Sequence, residues 1–167
     1  DFSGYDNSQS CQLIEAVLVV LTDLTGLEDP DDIMVMRCLA VTLSQPYHVS
    51  RSTIYELDHG MPSGNPMTSI MNSIFGLIVF RIVWLDLMRG CGYSSDYECI
   101  VDFDQQVKLV MYGDDNILNI SDKAIDKFNQ HTLMAAYPKF GLKYTSDEKD
   151  DLNPPRSRSI HEICFLK

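Results

Sequence analysis

"MYGDDNIL" (Met111–Leu118) sets two adjacent carboxylates, Asp114 and Asp115, behind a glycine in the middle of an apolar run. Two like charges at close range disfavour one another unless a cation or a proton sits between them. The flanks, "VKLVMY" and "NILNI", are rich in Val, Ile, Leu and Tyr and read as strands. Gly113 at the first central position of a two-residue loop fits a type II′ turn. The predicted hairpin presents Asp114 at its tip and Asp115 just after it, projected away from the sheet. A polar hairpin tip without chemical duty is the plainer alternative, because so short a motif recurs by chance.

The 167 residues suit one domain with a sizeable core. Composition is 45% hydrophobic and 22% charged, which points to an ordered globular chain. Net charge is −11, from 24 acidic and 13 basic residues. An unaided nucleic-acid binder carries a basic patch instead. Either nucleic acid is not the partner, or the basic surface lies outside this segment, or metal ions offset the acids. Five cysteines (Cys11, Cys38, Cys91, Cys99, Cys164) lack any C-x-x-C spacing, as buried or free thiols in a reducing compartment do. The long apolar stretch Ser69–Met88 is interrupted by Asn72, Arg81 and Asp86, so it reads as a buried central helix and not a membrane span.

Around these features the order is mixed α+β. Helical spacing runs over Ser8–Leu24. A second helix starts at "EDPDD", where Asp29 caps, Pro30 takes the first helical position and Asp31 and Asp32 sit at the positive end; it stops before Pro46. Tyr47–Leu57 reads as two short strands around Ser50–Arg51. Asn65 and Pro66 are expected to open the central helix, which runs to about Arg89 with Ile70, Ile74, Leu77, Ile78, Ile82, Leu85 and Met88 as its core stripe. "GCGYSSDYE" (Gly90–Glu98) reads as a connecting loop. A helix is expected near Asp122–Tyr137, a short strand and acidic loop in "LKYTSDEKDD", and a closing strand in "HEICFLK".

Other residues combine with the Asp-Asp pair. Gly4 lets the chain turn, so that Asp6 folds back toward the strand end carrying Asp1. Asp6 has a second reading, as the cap of the following helix with Gln9 completing a capping-box-like pair. Asp1, Asp114 and Asp115 together suit two divalent cations, which clamp the attacking and leaving oxygens of a phosphoryl displacement. Magnesium wants such hard oxygen ligands. His48, His59, His131 and His161 have no spacing of a metal cage. In "GMPSGNPMTSIMNS" (Gly60–Ser73), Gly60 and Gly64 free the backbone and Ser63 lies at a helix entrance, where free N–H groups suit a phosphate. Thr68 and Asn72, four apart, share one polar face. Asn72 is either a satisfied core amide or a partner, with Asp6 and Ser63, for a substrate hydroxyl.

"DFSGYD", "GMPSGNPMTSIMNS", "YGDD", "FGLKYTSDEK" and "FLK" occur in the order of motifs A to E of viral RNA-dependent RNA polymerases. The chain resembles the palm domain of picornavirus-like positive-strand RNA viruses, and the resemblance spans residues 1–167. It implies an α+β palm, a small antiparallel sheet packed on helices in an RRM-like core, from a partial polymerase lacking fingers and thumb. It implies that Asp1 and Asp114 ligate two Mg²⁺ ions (with Mn²⁺ able to substitute) and that Asp115 assists. Asp6, Ser63 and Asn72 would recognise the incoming ribose, with Gly64 and Thr68 beside the nucleotide. Lys149 matches a lysine that protonates pyrophosphate, though a solvated lysine among the acids of "SDEKDD" is the alternative. Phe165, Leu166 and Lys167 match a turn beside the primer strand. "NPM" (Asn65–Met67) departs from the small-residue run of picornaviruses proper and leaves the virus group open.

The implied reaction is template-directed RNA synthesis, in which a primer 3′-hydroxyl attacks the α-phosphate of a ribonucleotide. Implied partners are RNA template and primer, ribonucleoside triphosphates, the fingers and thumb, and other viral replication proteins. The implied place is the host cytoplasm, on membrane-associated replication complexes. A basic channel supplied by fingers and thumb reconciles the acidic charge with RNA, and the isolated segment is expected to be inactive. A reverse transcriptase shares the paired aspartates but favours an aromatic steric gate near Asp6. A non-catalytic interaction module is the rival from another class.

Overall fold

The computed structural model describes residues 2–57, 59–61, 66–146, 153–163 and 165–166. In chain order these form α1 (Cys11–Thr25), α2 (Pro30–Ser44), β1 (Tyr47–Ser50), β2 (Thr53–Glu56), α3 (Thr68–Met88), α4 (Asp96–Gln106), β3 (Val107–Tyr112), β4 (Asp115–Ile120) and α5 (Gln130–Ala136). The fold is mixed α+β. Its strands make two separate antiparallel hairpins, β1–β2 and β3–β4. A single antiparallel bridge, Phe2 to Tyr144, stands where a short strand is expected in "LKYT", and Ser3 N–H donates to Lys143 C=O across it at 3.0 Å.

Local chemistry accounts for most element starts. Asp29 accepts from Asp31 N–H at 2.8 Å, with Pro30 opening α2 as expected. Ser10, not Asp6, caps α1 by accepting from Leu13 N–H. The capping reading of Asp6 and Gln9 is therefore overturned, and both side chains hydrogen-bond to Asn72. α4 corrects the expected loop over Gly90–Glu98: Ser95 caps it, and Glu98 sits three residues on, the S-x-x-E signature of a helix start.

The core is wrapped around α3. Its buried face is Met71, Asn72, Phe75, Gly76, Val79, Phe80, Val83, Trp84 and Met88. The expected stripe is thus rotated by about one residue: Ile70 is 49% exposed, and Ile74, Ile78 and Leu85 pack only on the flank. A helix that is apolar nearly all round carries little directional signal of its own. The aromatic partners choose the face: Trp84 meets Phe103 and Phe128 edge-on, and its Nε1–H donates to Cys99 C=O at 2.8 Å. Although α3 is long and apolar enough to cross a membrane, Phe80, Val83 and Trp84 have no exposed surface, as in a core helix.

Two further expectations are corrected. The helix expected over Asp122–Tyr137 is broken at Asn129, whose side chain accepts from His131 and Thr132 N–H while Thr132 Oγ1 accepts from Asn129 N–H. That reciprocal cap starts α5 afresh and leaves only isolated turns before it. The expected closing strand is instead a 3₁₀ turn at Ile160–Glu162, held by Ser159 and Glu162 capping one another, and Phe165 and Leu166 lie in no strand.

Candidate active site

The β3–β4 hairpin has the expected register, with Tyr112 opposite Asp115. Gly113 has φ +62°, whereas Asp114 does not enter the positive region, the combination of a type II′ turn. Gly113 N–H also donates to Ser73 Oγ on α3 at 2.8 Å, which ties the turn to the core helix. The hairpin tip is therefore anchored, not free. Asp114 stands exposed at it and Asp115 half-buried beside it.

A cavity of about 640 Å³ opens between this turn, the N-terminal segment and the start of α3. Asp6, Thr68, Asn72, Asp114, Asp115 and Leu166 all line it, together with Phe2 and Tyr5. Six of the residues singled out from sequence thus meet in one place. Phe165 is half-buried and does not line the cavity. Asp1, Ser63, Gly64, Lys149 and Lys167 lie outside the described residues, as does Asn65.

Asn72 is the hub of the polar wall. Its Nδ2 donates to Asp6 Oδ1 at 2.6 Å, its Oδ1 accepts from Gln9 Nε2 at 2.8 Å, and its carbonyl accepts from the Tyr5 hydroxyl at 3.1 Å. Asn72 is a buried, satisfied amide, as the first of its two sequence readings has it, and it also lines the cavity beside Asp6. Backbone bonds brace the other side of this cluster. Met61 N–H donates to Asp6 C=O and Gly60 N–H to Gln9 C=O, each at 2.7 Å. Gly60 has φ +90°, and a Cβ there would stand 3.2 Å from Asp6 C=O, so the close approach favours glycine.

Tyr5 is held in its protonated form. Burial pushes its hydroxyl far above the usual tyrosine range, and the negative charges of Asp114 and Asp6 push it further in the same direction. It therefore acts as a donor throughout neutral pH. Gly76 makes room for it, because a Cβ there would lie 2.9 Å from Tyr5 Oη. Tyr144 braces the far side of the hairpin by donating to Asn116 Oδ1 at 2.7 Å. Gln9, Tyr5 and Ser73 were not singled out as site residues from sequence. Ser73 follows Asn72 on the helix, and Gln9 is a polar residue just before an apolar run, but neither signal names a partner.

The donor chemistry fits a hard divalent cation. Asp114 and Asp115 offer carboxylate oxygens at a pinned turn that lines the cavity. Among the described residues no group of three or more His, Cys, Asp or Glu side chains gathers as a metal centre.

The sequence pattern of the family described as "Viral RNA-dependent RNA polymerase" matches residues 1–167. The chain is 31% identical to the genome polyprotein of Deformed wing virus over 98% of its length, which covers 5% of that polyprotein. It is 30% identical over its whole length to the replicase polyprotein of Cricket paralysis virus and to the RNA1 polyprotein of Cowpea mosaic virus, covering 10% and 9% of them. The chain spans a tenth or less of the length of these relatives. A family pattern that matches from the first residue to the last has one consequence: the chain belongs to the viral RNA-dependent RNA polymerase family.

Proposed function

We propose that this chain is the palm of a polymerase that carries out RNA-directed RNA synthesis during replication of a picorna-like virus. The observation that carries the reading is the Asn72–Asp6 pair, joined at 2.6 Å, lining the same cavity as the Asp114–Asp115 turn. One wall offers polar groups suited to a sugar hydroxyl; the other offers carboxylates suited to cations beside phosphates. A ribonucleotide needs both.

Asp1, Asp114 and Asp115 would hold two Mg²⁺ ions, which when bound supply positive charge to the reacting phosphate and its leaving pyrophosphate. The chain's own residues do the rest. Asp6 accepts from, and Asn72 donates to, the ribose hydroxyl, while Ser63, Gly64 and Thr68 border the nucleotide. Tyr5, protonated, fixes the backbone of Asn72. Lys149 carries the proton that pyrophosphate takes as it leaves. Phe165, Leu166 and Lys167 abut the primer strand. The −11 charge leaves the basic RNA channel to fingers and thumb in the rest of the polyprotein. That assembly would work in the host cytoplasm, on membranes, with other viral replication proteins.

The test is Asp114→Ala in the full-length polymerase. Primer extension should be abolished and Mn²⁺ binding, followed by its paramagnetic resonance signal, should weaken. Extension at the wild-type rate would sink the reading.

A further inference from the structure

Gln9 does not line the cavity, yet it touches the residue on which the polar wall turns. It is 0% exposed, and its Nε2 donates to Asn72 Oδ1 at 2.8 Å. Its own Oε1 is buried with no hydrogen-bond partner among the described residues. A buried amide oxygen left unpaired costs free energy, so the arrangement needs a reason.

The reason lies in a chain of orientations that begins at Asp6. An ionised carboxylate only accepts, so Asn72 must turn its amide nitrogen toward Asp6. Asn72 Oδ1 then points away and needs a donor, which is Gln9 Nε2. Turning Gln9 over to pair its Oε1 would set two amide oxygens against each other. Turning Asn72 over as well would set its oxygen against the Asp6 carboxylate. Each amide is therefore locked by the one before it.

We propose that Gln9 is a positioning residue for sugar selection: it holds Asn72 so that the cavity meets an N–H donor beside a carboxylate. Such a wall suits a hydroxyl that donates to Asp6 and accepts from Asn72 at once. A ribose 2′-hydroxyl does both; a 2′-hydrogen does neither, and a 2′-fluorine cannot donate. The inference rests on the reading of Asp6 and Asn72 as ribose contacts.

The test is single-turnover addition of ribo-, 2′-deoxy- and 2′-fluoro-nucleotides by the full-length polymerase. Gln9→Met keeps the length and removes the donor; the ribo-over-deoxy ratio should fall roughly 3- to 10-fold, the range of one neutral hydrogen bond. Gln9→Glu keeps the shape and offers only acceptors when ionised, so its ratio should fall further. In an Asn72→Ala background, Gln9→Met should change the ratio less than about twofold, because the two residues act as one unit. A merely structural Gln9 would slow all three nucleotides together and leave the ratios intact, which overturns the proposal. Should Gln9→Met fail to fold, an unchanged ratio in Gln9→Glu overturns it equally. If Asn72→Ala alone leaves the ratio unchanged, the ribose reading itself falls; if Asn72→Ala lowers it while both Gln9 variants do not, only the role of Gln9 falls.

Discussion

Asn72 Nδ2 and Asp6 Oδ1 stand 2.6 Å apart although 66 residues separate them along the chain. The bond joins the second turn of a core helix to a short 3₁₀ segment. It converts an otherwise buried amide into part of a cavity wall.

Asn72→Ala removes that donor. Losing one partner of a charged, partly buried pair costs about 1–3 kcal/mol, or on the order of 5- to 150-fold. The preference for ribonucleotides over deoxyribonucleotides should drop by that factor, mainly through slower ribonucleotide addition. A purely core role predicts a lower melting temperature with the preference intact. Measuring both on one variant separates the two.

Gly76→Ala tests how closely Tyr5 is packed. The added methyl would overlap the end of Met111 and crowd Tyr5 Oη at 2.9 Å. Met111 can swing aside, but the Tyr5 ring is wedged between Phe2 and Phe75. Overpacking costs about 1–3 kcal/mol, and better helix propensity returns about 1 kcal/mol. The variant should therefore unfold more easily by roughly 1 kcal/mol in denaturant. In a Tyr5→Phe background the penalty should shrink, since the crowded hydroxyl is gone. An equal penalty in both backgrounds would refute the contact.

Alkaline pH should destabilise the fold. Burial raises the hydroxyls of Tyr5, Tyr137 and Tyr144 above their ordinary value. The unfolded chain releases those protons near pH ~10, so above that the folded state binds more protons and stability falls as pH rises. Below pH ~10 this contribution is constant. Phenolate absorbance from these residues should appear together with unfolding. Tyr137 Oη is buried without a hydrogen-bond partner among the described residues, so Tyr137→Phe should leave the protein as stable or up to ~1–3 kcal/mol more stable, and should weaken the alkaline transition.

Lys149→Leu addresses proton transfer. General acid catalysis contributes ~10²–10⁴-fold, so single-turnover addition should slow by that order while nucleotide affinity stays nearly unchanged. A change below about threefold would return Lys149 to a solvated lysine, being far short of such a contribution.

Short-range chemistry made much of this protein legible from its sequence. Gly113 between two β-rich runs specified the turn type and the register, because both depend on neighbours within a few residues. Asp29-Pro30 specified the start of α2 in the same way. The helix starts at Ser95 and Asn129 obey the same local rules, and their side chains carry recognisable capping signals. Tertiary packing alone decided the rest. The apolar surface of α3 offers several equivalent faces, and only the rings of Phe103 and Phe128 against Trp84 select one. Whether Asp6 caps a helix or turns to Asn72 depended on Ser10 capping α1 instead, and on a partner 66 residues away. Gln9 and Tyr5 acquired their duties for the same reason. A hydrogen bond between distant segments leaves no periodicity in the chain, since its geometry exists only after the core has brought both segments together.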